Sequence, residues 1–261
     1  MTRSLFDDWF AKGLDPAAYD PVAAARLAMK PQLPKRFYET AGFAATAGAF
    51  ALTLDGRKAK TPGRRLVALP TAALAEAVAA EWQAQVEVIN PATMPLTRIV
   101  NSIIEGVTDV PEAVAEEIVK YARSDLLCYR ADRPQSLVDR QAAAWDPVLT
   151  YLRETIGARF FLSEGIVYVE QPAPSIMAVR AALPGDPWRL GAMSVITTLT
   201  GSALLAIAVD RGFLSADAAF DAAHVDDDFQ RDTWGHDDEA AERRAVRHAE
   251  MTAAAKVLAS V

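Results

Sequence analysis

From Leu190 to Val209 the chain runs for twenty residues without a charged side chain, closed by Arg189 before it and by Asp210 and Arg211 after it. A helix of that length is about what a bilayer crossing requires, so the segment must be hidden in lipid or in protein. Ser194, Thr197, Thr198, Thr200, Gly201 and Ser202 dilute its apolar character. The segment therefore reads as the buried central helix of a helical domain, with no membrane span. The chain can bury such a helix, because its 261 residues allow one large domain or two of ordinary size. Hydrophobic residues at 51% and charged residues at 23% fit a globular protein rather than a disordered one.

The hydrophobic period changes along the chain. Residues 1–34 form a proline-rich arm, broken at Pro16, Pro21, Pro31 and Pro34, whose Leu5, Phe6, Trp9 and Phe10 are candidates for docking on the body. From Arg36 to Leu69 the period is two: Phe50, Leu52 and Leu54 alternate with smaller residues and meet Asp55-Gly56, a strong hairpin signal. The return strand, 57–61, has little apolar content and is expected to face solvent, and 66–69 makes another short strand. Thr71 then caps a helix whose Leu74, Val78 and Trp82 recur every fourth residue, until the NPATMP segment at 90–95 ends it.

From Pro111 onward the pattern is helical. Val114, Ile118, Ala122 and Leu126 form one stripe, and Leu137, Gln141, Trp145, Val148 and Leu152 the next. Residues 160–169 read as a short β excursion turning at Ser163-Glu164-Gly165, within a boundary of 158–170. Ser215 caps a last helical region that Gly235 interrupts. These elements define an α+β chain: a small β-rich N-terminal domain with a helix, over 35–110, joined to a larger, mostly α-helical C-terminal domain over 111–261.

Few function classes survive the composition. The formal charge of −7 argues against a binder of nucleic-acid backbone. Cys128 is the single cysteine, so no internal disulfide forms and a reducing compartment is expected. Asp7 and Asp8 exclude a secretory signal in the first ten residues, which are also too acidic for a transit peptide. No glycine loop for phosphates or dinucleotides is present. His224, His236 and His248 are spaced every twelve residues, which on one continuous helix would hold them about 18 Å apart. His224-x-Asp226-x-Asp228 is a local metal candidate, outweighed by a solvated acidic helix face, and Arg231 occupies the position where a calcium loop needs glycine. Cys128 beside Tyr129 reads as a buried structural thiol.

Asp125 is the more pointed case, because its spacing from Ala122, Ile118 and Tyr129 places it on the apolar side of its helix. A buried carboxylate needs partners: a cap or an ion pair with Arg130 or Arg140 supplies them, and the alternative is a cleft carboxylate awaiting a partner's cation. Gln141 poses the same question. Trp82, Trp145 and Trp188 read as core anchors. A metal- or small-ligand-dependent enzyme using Asp125 and the C-terminal acids is the alternative function class.

Acid gathers late in the chain, with ten acidic residues against four arginines between Asp221 and Glu250. Within that stretch Phe229, Gln230, Trp234 and Gly235 are interleaved with Asp226, Asp227, Asp228, Asp232, Asp237, Asp238 and Glu239. Large aromatics set among carboxylates suit a recognition surface, where rings supply contact area and charge selects the partner.

In this order the motifs resemble one family. RFY at 36–38, DGR at 55–57, EW at 81–82, MPLTR at 94–98, SDLLCYRAD at 124–132, PQSL at 134–137, QAAAWDP at 141–147, GSALLAIAV at 201–209 and FQRDTWG at 229–235 resemble the assembly chaperones of the ATP synthase catalytic head dedicated to its alpha subunit. The resemblance implies a soluble, monomeric, non-enzymatic chaperone without cofactor or metal. It would bind the unassembled alpha subunit and shield from aggregation the surface that the beta subunit later covers. It also implies a structural role for Trp82, and a functional acid shortly after the WG pair, which Glu239 matches best and Asp238 nearly as well. Asp146, within the QAAAWDP motif, joins Trp145 and Tyr129 as a cleft candidate. Mitochondrial members carry a targeting extension that this chain lacks, so the resemblance implies a bacterial cytoplasm here and the mitochondrial matrix for eukaryotic relatives.

Overall fold

A computed structural model of the chain describes residues 33–261 except residue 236; the arm residues 1–32 and His236 lie outside the described residues. The sheet forms first along the chain. Strands β1 (Ala41–Thr46), β2 (Ala49–Leu54) and β3 (Arg57–Lys58) run antiparallel, and β4 (Ala68–Leu69) shares the second edge of β2 with β3. Asp55 and Gly56 both take positive φ, 48° and 75°, which matches the right-handed twist of the flanking strands. The Asp55 carboxylate accepts the backbone N–H groups of Glu39 and Thr40, and the Thr40 bond leads in holding its pKa below the usual carboxylate range. Strand β1 lies outside the sequence expectation, because AGFAAT has one large apolar residue and no clear alternation. β3 faces solvent as expected.

Helix α1 (Ala72–Gln83) packs on β1 and β2. Thr71 accepts the N–H of Leu74, while Leu74 and Val78 are fully buried. Two of the quoted motifs meet at its end: the Glu81 carboxylate accepts Leu96 N at 2.9 Å and Thr97 N at 2.7 Å. These are orphan donors of helix α2 (Pro95–Ser102), where a carboxylate also complements the helix dipole. The α2 axis continues through a wide turn at Ile103–Val107 into α3 (Pro111–Arg123).

The remainder is helical: α4 (Gln135–Thr155), α5 (Ala173–Ala182), α6 (Pro187–Thr200), α7 (Ala203–Asp210), α8 (Ala216–Ala223), α9 (Val225–Trp234) and α10 (Asp238–Ser260). The apolar segment at 190–209 is indeed buried at the centre, but as two helices rather than one. Gly201 takes φ 69°, the left-handed conformation that ends α6, and Ser202 starts α7 by accepting Leu205 N. No described helix is long and apolar enough to cross a membrane. The main hydrophobic core runs without interruption from Leu52, Leu69 and Leu74 through α3, α4, α6 and α7 to Met251 and Val257 of α10. A smaller cluster of Tyr38, Leu54, Ile89 and Met94 lies between the sheet and α1, with Trp82 packed against it.

The expected β excursion at 160–169 is reduced to β6 (Ser163–Glu164), which pairs in parallel with β5 (Tyr129–Arg130). The turn falls at Gly165-Ile166, with Gly165 at φ 71°, later than the expected Ser163-Glu164-Gly165, whose first two residues form the strand instead. Ile166 to Val169 has strand-forming side chains yet joins no ladder among the described residues.

Candidate functional site

Helices α8, α9 and α10 meet at a corner whose shape follows from two chain breaks. His224 closes α8 and opens α9, with Nδ1 against the Phe220 carbonyl at 2.7 Å. Burial holds its pKa below the usual histidine range, against the raising effect of that carbonyl. Gly235 ends α9 at φ 99° and ψ −177°, a conformation open to glycine and strained for any residue with a Cβ. Asp237 then caps α10 by accepting the N–H groups of Glu239 and Ala240 at 2.9 and 3.1 Å.

Between α9 and α10 lies an open cleft of about 850 Å³, lined by Phe220, His224, Gln230, Trp234, Arg243 and Arg244 among others. Trp234 stands at its lip with 86% of its surface exposed. A tryptophan costs more to leave in water than almost any other side chain, and among the described residues this ring has no ring or cation partner and is 86% exposed. Glu239 is exposed in the first turn of α10, outside the residues that line the cleft, and pairs with Arg243 one turn along at 2.6 Å. Gln230 is exposed on the facing wall. Asp238 occupies the first turn of α10.

The other two members of the predicted set look inward. Asp228 receives both Arg244 nitrogens, at 2.6 and 3.1 Å, and Arg231 at 3.0 Å, so it staples α9 to α10. Phe229 is half-buried, with the Arg140 guanidinium 5.4 Å from its ring centre. Further links tie α9 to α4: Arg140 to Asp232 at 2.7 Å, and Gln141 Nε2 to Asp226 at 2.7 Å. The arginines of this corner were absent from the predicted set. Their signal is the spacing of Arg243, Arg244 and Arg247, three and four residues apart and so on neighbouring faces of α10.

Asp125 is not on a helix. It follows the end of α3 and caps the short 3₁₀ turn Leu126–Cys128, fully inaccessible to solvent. Its Oδ1 accepts Ser202 Oγ at 2.6 Å and Leu127 N at 3.2 Å, and its Oδ2 accepts Leu204 N at 3.1 Å. Desolvation raises its pKa to about 6, against the opposing pull of those bonds. The cap account is the one observed. The proposed pairing with Arg130 or Arg140 is not, since Arg130 binds Asp146 and Arg140 binds Asp232. A carboxylate sealed in this way is also no cleft group.

Gln141 is likewise buried, accepting Ala131 N at 2.8 Å while donating to Asp226. Trp145 is buried and donates Nε1 to the Ala222 carbonyl at 2.7 Å. Trp188 is half-buried against the core. Cys128 is buried, and desolvation pushes its thiol up to about 12. Tyr129 is half-buried on β5, and Asp146 is exposed where it pairs with Arg130 at 2.8 Å. Trp82 is half-buried against Tyr38, ring centres 5.7 Å apart, and the Tyr38 hydroxyl donates to the Trp82 carbonyl. None of these lies in the α9–α10 cleft.

The local metal candidate is dispersed. His224 turns to Phe220, Asp226 to Gln141 and Asp228 to Arg244. Among the described residues no cluster of three histidine, cysteine or carboxylate ligands exists. The arrangement offers apolar area, charge and a groove, the means of binding another chain.

Comparison with known proteins agrees with that character. Residues 35–153 match the model of the ATP12 chaperone protein family. The mitochondrial protein atp12 of Schizosaccharomyces pombe is 21% identical over 221 residues, covering 80% of this chain and 76% of the yeast protein. Among solved structures, the Atu1473 protein of Agrobacterium tumefaciens, a candidate chaperone, superposes with a TM-score of 0.84 at 43% identity, over 94% of this chain and 92% of that one. Atp12 from Paracoccus denitrificans superposes with a TM-score of 0.80 at 39% identity, over 87% of this chain and 97% of that one. The chain therefore belongs to the ATP12 chaperone family, the assembly chaperones of ATP synthase.

Proposed function

We propose that this chaperone captures the unassembled alpha subunit of ATP synthase and covers the surface that the beta subunit later occupies, keeping the client from aggregating. The observation that carries this reading is Trp234, an 86% exposed ring at the lip of the α9–α10 cleft, followed along the chain by the exposed carboxylates Asp237, Asp238 and Glu239 that open α10. Trp234 supplies the apolar contact and Gly235 fixes its direction. Glu239, with Asp238 beside it, selects a basic rim on the client, while Gln230 contributes a neutral polar contact. Asp228 and Phe229 hold the two helices in place rather than meeting the client.

The act is binding and release, with no covalent step. Release requires moderate affinity: a micromolar dissociation constant corresponds to about −8 kcal/mol and permits displacement on a useful timescale. The working compartment is a bacterial cytoplasm. The test uses purified alpha subunit as prey. Wild-type chaperone retains it in soluble form, and Asp238→Lys/Glu239→Lys loses at least tenfold in affinity with an unchanged circular dichroism spectrum. Retention of alpha subunit by that variant at wild-type strength would remove this corner from the mechanism.

A further inference from the structure

A second exposed apolar feature lies outside the α9–α10 corner. Phe161, Leu162, Ile166, Val167 and Tyr168 fall within the eight positions 161–168 and are between 50% and 98% exposed. Scattered apolar residues on a surface need no explanation, but five large ones in one short loop do. The loop is also held rigidly at its neck. Ser175 Oγ accepts Arg159 N and donates to Arg159 O, at 2.9 and 2.6 Å. The buried Gln171 amide does the same for Phe161, accepting its N–H at 2.8 Å and donating to its carbonyl at 3.0 Å. Nearer the tip, Gly165 N donates to Arg130 O at 2.9 Å and Ser163 Oγ to Val167 O at 2.8 Å. Two largely buried side chains at the start of α5 are thus spent on fixing a loop whose own large side chains touch little of the protein.

We infer that the loop 161–168 is a preformed apolar finger that docks on an apolar, base-rimmed face of the unassembled ATP synthase subunit, a second contact beside the α9–α10 corner. The inference rests on the client proposed above. Its charge favours that occupant over a second copy of this chain. Glu164 within the finger and Glu170 just after it make no ion pair among the described residues. A two-fold pairing of fingers would set each acid against its own equivalent, in a chain already at −7. An unassembled subunit instead carries apolar surface that awaits cover. Fixing the finger in advance lowers the ordering cost of binding, and residues 166–169, outside any ladder among the described residues, offer strand-forming backbone other than the Val167 carbonyl to an extended client segment.

Two measurements test it with purified alpha subunit as probe. In hydrogen exchange on the wild-type complex, amides at 161–168 slow on binding; unchanged exchange there overturns the finger. The triple variant Ile166→Ser/Val167→Ser/Tyr168→Ser loses at least tenfold in affinity while keeping the wild-type melting temperature, as expected for exposed positions. Wild-type affinity in that variant overturns the finger and leaves the proposed function standing. A wild-type chaperone that fails to bind alpha subunit overturns the client, and the finger's role with it. Concentration-dependent dimerisation of the wild type, abolished by the same variant, would assign the finger to a second copy and overturn the inference.

Discussion

Asp125 and Glu239 are both carboxylates near the start of a helical turn, one preceding the 3₁₀ turn Leu126–Cys128 and one in the first turn of α10. Their surroundings separate them. Asp125 has no contact with water and answers three donors, one in its own turn and two at the start of α7. Glu239 stands in water and answers one arginine on its own helix. A charge buried with its partners ties segments together and is costly to disturb. A charge paired in solvent contributes little to folding and is free to be exchanged for another partner. The buried junction commits its carboxylate to the fold, while the corner, which also holds itself through Asp226, Asp228 and Asp232, leaves Glu239 facing solvent.

That contrast is open to attack, beginning with its deepest point. Asp125→Ala leaves Ser202 Oγ, Leu127 N and Leu204 N without their acceptor, and denaturant unfolding should show a loss of about 3 kcal/mol, while folded material still captures alpha subunit. A loss below 1 kcal/mol would mean that the junction tolerates an uncapped core. The second attack is by pH. The folded-state pKa of Asp125, about 6, lies above the unfolded value, so the folded state holds the proton more tightly. Its contribution is full below about pH 4 and declines as pH rises towards 6, by on the order of 2 kcal/mol. Unfolding of wild type against Asp125→Ala across that window should show the gap narrowing as pH rises, and a widening gap would reverse the assignment.

Smaller effects belong to the corner. Gly235→Ala strains a backbone at φ 99° with open space around the new methyl group, so its cost is conformational, about 1 kcal/mol. It should lower client affinity by re-aiming Trp234. Trp234→Ala should change stability by less than about 0.5 kcal/mol, as surface substitutions do, yet weaken capture of alpha subunit at least tenfold. A stability loss above 1 kcal/mol from Trp234→Ala would place the ring in the fold's own packing and erase the distinction between the two regions.

What could be read in advance follows the same divide between local and long-range causes. The Asp55-Gly56 turn, the Thr71 cap and the stripes of α1, α3 and α4 depend on residues close together in sequence, and each was legible. Asp125 was placed on a helix because Ala122 and Leu126 continue the stripe of α3. The chain leaves the helix at Ser124, and the reason is the distant pull of Ser202 and Leu204. The break at Gly201-Ser202 was legible in type but was masked by the apolar run around it. β1 was missed because its pairing with β2, not its own composition, makes it a strand. In the candidate site the exposed Trp234 and the turn at Gly235 were legible from acids and glycine. The inward commitments of Asp228 and Phe229 were not, because their partners Arg244 and Arg140 lie on other helices.

Helix α10 carries the acids at one end, and at the other its Ser260 carbonyl accepts the hydroxyl of Thr71, the same group that caps α1. Twenty-three residues make a rod of roughly 34 Å, packed along its way on α6, α2 and α8. Such a strut links the sheet-bearing region to the corner by one continuous ladder of helical hydrogen bonds, so a change in the direction of α10 at one end is carried to the other.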